Sequence, residues 1–340
     1  MHKEITIYDL ARELNLSPAT VSRGLKNHQA INKNTKKRIT DKAEEMGYRF
    51  NTFASNLRKK KTNTIGVVIP RMNSHFMSTV LAAMEKVASD AGYNIIISQS
   101  MESMAKEEVN AKTMFDNRVD GLLVSLAYDT VNIDHFQRFI KRNIPVIFFD
   151  RVHESDECVS VVIDNYRNGY EITRHLIDQG CKKIMHITGN LKRNVYQERF
   201  RGYQQALQDY NIPYTVDRLI TGELNELAGS EAGEKILAMD EKPDAIFVSN
   251  DVCAASCMRT LKQSGIKIPE DIAIAGFNND PISRMVEPNI TTVNYPSYQM
   301  GEIAATHLIN HLKGGVAFHT TNKIILKSEL LIRESSLKGK

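Results

Sequence analysis

The chain has 340 residues, 42% of them hydrophobic and 25% charged, which is ordinary for a soluble globular protein and enough for two or three compact units. Its net charge of +4 conceals an asymmetry: residues 1 to 61 carry 14 basic against 6 acidic side chains, +8, and the rest carries 30 against 34, −4. That division points to a basic module built for a polyanion, joined to a body with no such preference.

Cys158, Cys181, Cys253 and Cys257 form no C-x-x-C pair, so the redox and zinc patterns are excluded and reduced, packed thiols are expected. Charged residues rather than an apolar h-region follow Met1, and no apolar run approaches the ~20 residues of a membrane span. The expectation is a cytoplasmic protein with no membrane contact.

In chain order, Ile7, Leu10, Ala11 and Leu14 follow the i, i+3, i+4, i+7 spacing of a short amphipathic helix, and Thr6 with Asp9 makes a capping box at its start. Ser17 then caps a second helix that has Pro18 at its first position, where the missing N–H costs nothing. Its sequence, SPATVSRGL, offers only Val21 and Leu25 to a core, while Pro18 and Ser22 share one side and Ala19 and Arg23 another. Such a helix suits the second position of a helix-turn-helix. Small groups let it approach the major groove, Ser17 or Thr20 reaches phosphate, and Arg23 fits guanine in bidentate fashion. A third helix is expected from about Lys33 to Met46, capped by Asn32, with Ile39, Ala43 and Met46 inward and Gly47 as its stop.

NTFASNL, residues 51 to 57, places Phe53, Ala54 and Leu57 on one side and runs directly into Arg58, Lys59, Lys60 and Lys61. A helix this short does not hold in water unless something orders it, and the basic run reads as a domain boundary. Beyond Thr64 the pattern becomes strand, helix, strand, helix. Strand-length apolar runs lie at Ile65 to Ile69, Asn94 to Ser98, Gly121 to Ser125 and Pro145 to Phe149, with a helix over Phe76 to Ala91. A second series lies at Lys183 to Ile187, Arg218 to Thr221, Ala245 to Ser249 and Ile272 to Gly276. Two parallel-sheet halves of similar design follow, and ligands of such sheets bind beyond the carboxyl ends of the strands.

The stretch ITIYDLARELNLSPATVSRGLKN resembles the helix-turn-helix of the lactose and galactose repressor (LacI/GalR) family. The likeness continues through NTFASNL, TIGVVIP, VDGLLV, IPVIFFD, VVIDN, ERFRGY, SNDVCA and IAGFNND, in order. The resemblance implies an α/β protein: a small all-α headpiece at residues 1–49, a hinge helix and linker at 50–62, and a two-lobed periplasmic-binding-protein-like core at 63–340 made of two Rossmann-like subdomains. Its lobes are expected at about 63–162 with 293–325, and at 163–292 with 326–340, joined by three crossovers. A final strand near Lys323 to Ile332 helps complete the core. The implied function is a sequence-specific transcriptional regulator, a repressor, controlled allosterically by a small metabolite of the sugar class. It acts as a homodimer on a near-palindromic double-stranded operator.

Site residues carried over by this resemblance are Thr6, Ser17, Pro18, Ala19, Thr20, Ser22, Arg23, Asn51, Ala54, Leu57 and Lys59 for DNA, with Leu57 as the minor-groove wedge. Phe50 stands where the family usually has proline. For the effector they are His75, Phe76, Asp150, Arg193, Arg199, Leu224, Asn250, Asp251 and Asn278, with Arg193 and Arg199 expected on the first helix of the second lobe. Asn278 replaces a common aspartate, which removes one acceptor-only group, and Val195 and Leu224 argue against a purine. Arg71, Arg193 and Arg199 together suggest a phosphorylated or carboxylated sugar.

Other chemistries lack their motifs. Neither G-x-G-x-x-G after a strand nor G-x-x-x-x-G-K-[ST] occurs. His307 and His311 have metal spacing, but Leu308 stands where a zincin needs glutamate, and Ser103 with Lys106 fits S-x-x-K without its companion motifs. No cofactor, metal or catalytic residue is expected, and the protein is not read as an enzyme. The rivals are a solute-binding protein with the same core, and a regulator answering to a nucleoside-type or other non-sugar effector.

Overall fold

The structure is a computed structural model that describes residues 5–48, 61–153, 158–315 and 322–339. The chain divides into two units, Met1–Thr62 and Asn63–Lys340.

The first unit is a three-helix bundle: α1 (Ile7–Leu14), α2 (Pro18–Leu25) and α3 (Lys33–Glu45). The expected capping box is formed, with Thr6 N–H donating to Asp9 at 3.0 Å and Asp9 N–H to the Thr6 hydroxyl at 3.3 Å. Asn15 closes α1 in the left-handed region, and Ser17 Oγ accepts from Thr20 N–H at 3.1 Å to start α2. The core is Leu10, Ala11, Leu14, Val21, Ile39 and Ala43. Leu25, expected inward, is only half-buried, and Gly24 is buried in its stead. A Cβ at Gly24 would stand 2.4 Å from Ile39 Cδ1, so the missing side chain is what lets α2 settle onto α3.

The second unit holds two parallel sheets. In the first, β1 (Thr64–Ile69), β2 (Asn94–Gln99), β3 (Gly121–Val124), β4 (Val146–Phe149), β5 (Val159–Ile163) and β11 (Lys323–Leu326) run in the order β11-β5-β4-β3-β1-β2. In the second, β6 (Ile184–Thr188), β7 (Leu219–Thr221), β8 (Ala245–Val248) and β9 (Ala273–Ala275) run in the order β7-β6-β8-β9. The central strands are buried on both faces, which is why they read as unbroken apolar runs. The helices are α4 (His75–Asp90), α5 (Met104–Asp116), the single turn α6 (Gln137–Ile140), α7 (Asn165–Asp178), α8 (Asn194–Asp209), α9 (Glu226–Leu237), α10 (Asp251–Gln263) and α11 (Ser297–Leu312).

Two short strands, β10 (Thr292–Asn294) and β12 (Glu329–Leu331), pair antiparallel between the sheets. The chain therefore passes between the lobes after β5, after β10 and between β11 and β12. The β11 pairing with β5 is parallel, Lys323 opposite Ser160, so the C-terminal segment re-enters the first sheet before crossing back. In the second lobe α7 and α8 cross at glycines: a Cβ on Gly202 would lie 2.1 Å from the Tyr166 carbonyl, and one on Gly169 2.3 Å from the Arg199 carbonyl. That crossing sets α8, which carries Arg199, against the sheet.

Candidate ligand cleft and nucleic-acid face

In each sheet the strand order reverses beside the first strand, between β1 and β3 and between β6 and β8, and a crevice opens outside the carboxyl ends there. Residues following β1, β4 and β8 meet across a cavity of about 400 Å³. His75, Phe76, Asp150, Arg199, Leu224, Asn250 and Asn278 all line it, as does Val195.

Arg199 is the most firmly held. Its Nε donates to Asn165 Oδ1 at 2.9 Å and its Nη1 to the Ser249 carbonyl at 3.1 Å, and the guanidinium lies 3.5 Å from the centroid of the Phe277 ring. Burial lowers its pKa, with Tyr295, Tyr196 and Asp150 acting in the opposite direction. Asp150 sits at φ 58°, accepts from the Tyr295 hydroxyl at 2.8 Å and faces Ser125 at 3.4 Å. Burial pushes its carboxyl above the ordinary carboxylate range, against the pull of Arg151 and the Tyr295 hydroxyl. Asn250 caps α10 with its carbonyl, accepting from Val252 and Cys253 N–H at 2.9 and 3.1 Å, which leaves its NH₂ group as the donor for a ligand. Phe76 packs on Tyr295 with centroids 4.6 Å apart. The walls therefore combine aromatic faces with a few fixed donors and acceptors.

Two expected residues are not on this wall. Asp251 is fully buried behind it, accepting from Asp280 N–H and the Thr292 hydroxyl, each at 2.8 Å, and tying α10 to the β9 exit and β10. Arg193 is the N-cap of α8, the second helix of its lobe rather than the first, and its guanidinium turns away to the Thr130 carbonyl. The acceptor-only group inferred to be missing at Asn278 is supplied two residues later. Asp280 lines the cavity, with its Oδ2 3.3 Å from Asn278 Nδ2, and burial pushes its carboxyl up while Asn278 and His75 oppose the shift.

The arginine trio suggested for an anionic ligand also separates. Arg71 is paired with Glu102 and Glu223, both at 3.4 Å, and Arg151 donates to Glu102 at 2.7 Å and to Tyr196 Oη at 3.1 Å. With Arg193 elsewhere, the cleft's cations are largely answered by its own carboxylates. Sequence reasoning missed Glu102, Tyr128, Arg151, Tyr196, Ser249, Asp280 and Tyr295. Arg151, Ser249 and Asp280 stand within two residues of flagged positions and follow strand ends, a rule that would have found them; Tyr295 had no such signal.

Residues in and beside this cavity also bridge the lobes. Tyr128 donates to the Gly222 carbonyl at 3.3 Å and accepts from Asn190 at 3.1 Å, while Asn194 joins the Asp150 carbonyl and Val152 N–H, both at 3.1 Å.

On the headpiece, Ser17, Ala19 and Arg23 are exposed, and Pro18, Thr20 and Ser22 half-buried. Ser17 and Thr20 hydroxyls lie 2.8 Å apart and Thr6 is committed to its cap, so Arg23 is the long polar side chain that α2 presents outward. Phe50, Asn51, Phe53, Ala54, Leu57 and Lys59 lie outside the described residues.

Comparison with known proteins decides the family. Residues 6–51 match the model for bacterial regulatory proteins of the lacI family, and residues 173–336 match a periplasmic binding protein-like domain. Catabolite control protein A of Priestia megaterium is 33% identical over 309 residues, covering 91% of this chain and 92% of that protein. The chain belongs to the lacI family. The PurR repressor of Photobacterium profundum is 28% identical over 97% of this chain and 98% of its own. Among solved structures, the CcpA regulator of Lactococcus lactis matches 80% of this chain and 98% of its own, at 29% identity and a TM-score of 0.73. The lac repressor dimer bound to operator and an anti-inducer shares the fold at TM-score 0.84, 22% identity, over 98% of this chain and 100% of its own. As a lacI-family member the chain is a DNA-binding transcriptional regulator with an effector-binding domain. Among the described residues no helix is long and apolar enough to cross a membrane.

Proposed function

We propose that this lacI-family chain is a cytoplasmic repressor that acts as a homodimer on a near-palindromic operator and is controlled by an uncharged, hydroxyl-rich metabolite of the sugar class. The observation that carries the effector class is the cleft's chemistry: Arg199, Asp150, Asp280, Asn250 and Asn278 around the faces of Phe76, Tyr196 and Tyr295, with Arg71 and Arg151 already matched by carboxylates. Hydroxyl groups both donate and accept, so they satisfy such a mixed set, and the pyranose or furanose face covers the aromatic rings. An anion would have to compete with Glu102, Glu223, Asp150 and Asp280. Val195 and Leu224 on the wall disfavour a nucleobase, which needs polar edges met in that plane.

In this reading residues 1–49 bind the major groove through Ser17, Pro18, Ala19, Thr20, Ser22 and Arg23, with Thr6 at the start of α1. Residues 50–62 form the hinge, with Asn51, Ala54, Leu57 and Lys59 against the minor groove and backbone. The core from 63 to 340 is two lobes, 63–162 with 293–325 and 163–292 with 326–340, a division supported by the membership of β5 and β11 in one sheet and of β6 to β9 in the other. The effector acts by preferring one lobe arrangement, and that differential affinity is all it has for shifting operator binding.

Selection of binding sites from random duplexes, with and without candidate neutral sugars, tests the proposal. A two-fold symmetric site whose occupancy changes with a neutral sugar is the expected result. Deleting residues 1 to 61 abolishes DNA binding and leaves calorimetric ligand binding intact. A purine or a charged metabolite that binds where no neutral sugar does would overturn the effector class.

A further inference from the structure

A second cavity, of about 560 Å³, opens between the same two lobes and shares no lining residue with the first. One wall is the start of α8, with Lys192, Arg193 and Asn194; the facing wall includes Thr130 and Asn132 from the segment after β3. Asn194 separates the two spaces, since its amide is spent at both ends on the chain leaving β4.

Arg193 is 8% exposed. Its Nη2 donates to the Thr130 carbonyl, its buried Nε has no hydrogen-bond partner, and it makes no ion pair among the described residues. The neighbouring carboxylates are already used. Glu198 pairs with Arg201 at 2.8 Å, and Asp164 caps α7 by accepting from Arg167 N–H at 2.9 Å. Glu107, fully buried behind Thr130, accepts from Ala127 N–H at 2.7 Å, from the Thr130 hydroxyl at 3.0 Å and from His135 at 2.9 Å. Glu107, Asp129 and Glu102 act on Arg193 only at a distance, and a guanidinium removed from water without a direct ion-pair partner is costly. The start of α8 adds to the positive field, because the helix dipole points that way and no side chain caps its first amides.

We propose that this second cavity is a binding site for a small anion, a carboxylate or phosphate group, held by the free part of the Arg193 fork and the uncapped start of α8, with Lys192 at the rim. The site goes beyond the sugar reading of the cleft and does not depend on it. Arg193 belongs to one lobe and Thr130 with Asn132 to the other, so a bound anion favours the arrangement in which these walls face each other, and by linkage it alters affinity in the cleft.

Thermal unfolding of the full chain at constant ionic strength, titrated with inorganic phosphate or malonate against chloride, tests the proposal. The expected result is a saturable rise in midpoint with at least one probe, and the probe that saturates at the lower concentration identifies the head-group class. Arg193→Gln weakens this response by roughly tenfold or more, the worth of a charge-assisted hydrogen bond, whereas Arg71→Gln in the cleft retains it. If Arg193→Gln does not fold, the exposed Lys192→Gln provides the reading and must shift saturation to higher concentration. Absence of a saturable response to both probes overturns the proposal. So does a response lost in Arg71→Gln but kept in Arg193→Gln, or one unchanged in Lys192→Gln. A failure of the sugar titrations leaves these readouts untouched.

Discussion

His186, in the second strand from the edge of the second sheet, gives the core a pH dependence whose size follows from its surroundings. The ring is fully buried, donates from Nδ1 to the Phe247 carbonyl at 3.0 Å, leaves Nε2 without a partner, and lies between Phe247, Tyr203 and Phe200 at centroid distances of 4.3, 5.2 and 6.1 Å. Burial brings its pKa from 6.5 down to about 3; the Phe247 carbonyl opposes that shift and the nearby Arg199 charge reinforces it. The folded state holds the imidazole neutral while the unfolded chain binds a proton below pH 6.5. Stability is therefore complete above that pH and is lost as pH falls through the window from 6.5 towards 3. Linkage gives a loss of about 2 kcal/mol at pH 5 and roughly 3 kcal/mol at pH 4. His186→Phe keeps an aromatic ring in the stack and removes the titration. Losing the Nδ1 bond and losing the orphaned Nε2 have opposite signs, so the variant should sit near the parent at pH 7. Urea unfolding of the core transition, followed by far-ultraviolet circular dichroism because the chain has no tryptophan, should show the parent losing about 2 kcal/mol more than the variant between pH 7 and pH 5. Equal losses in the two chains would refute the reasoning, as would an NMR titration placing the His186 pKa near 6.

Gly202→Ala sets a Cβ against the α7 backbone, and the overpacking of about 1–3 kcal/mol outweighs a helix-propensity gain of at most ~1 kcal/mol, so the melting temperature of the core should fall. Arg199→Gln should weaken the cleft ligand by roughly ten- to a hundredfold in calorimetry while operator affinity without ligand is unchanged, because it removes charge-assisted donors from a buried site. Arg23→Ala should relax base preference at one operator position by about 1–3 kcal/mol, whereas Lys59→Ala should weaken binding to every duplex and reduce the salt slope by about one. Equal effects of both changes on all sequences would remove Arg23 from its base-reading role.

Strand positions could be read to within a residue or two for eight of the parallel strands, the central ones because burial on both faces makes them apolar runs and the edge strand β2 because it still carries three consecutive isoleucines. β10 gave no such signal, and the single final strand expected near Lys323 to Ile332 is two, β11 pairing with β5 and β12 with β10, because the chain crosses between the lobes there. The headpiece helices were legible from caps and spacing, yet Gly24 rather than Leu25 completes the contact of α2, because close approach of two helices is decided by what is absent at the crossing.

For the site, the resemblance named Asp150, Arg199, Asn250 and Asn278, which all line one cavity, three of them beyond strand ends and Arg199 within α8. It could not tell which way a side chain turns. Asp251 follows Asn250 directly but serves as the buried tie between α10, Asp280 and Thr292, and Arg193 points into a different cavity from Arg199 on the same helix. Nor could it balance charges, for the pairing of Arg71 and Arg151 with Glu102 depends on residues from three separate loops. The sequence by itself determined the basic headpiece, the alternating strands and helices and the family to which they belong, because these rest on local periodicity, capping and composition. Only the tertiary structure decided which arginines are neutralised and which, Arg193 and Arg199 among the described residues, are buried without a direct ion pair, because ion pairing and burial are properties of distance in space, not of spacing along the chain.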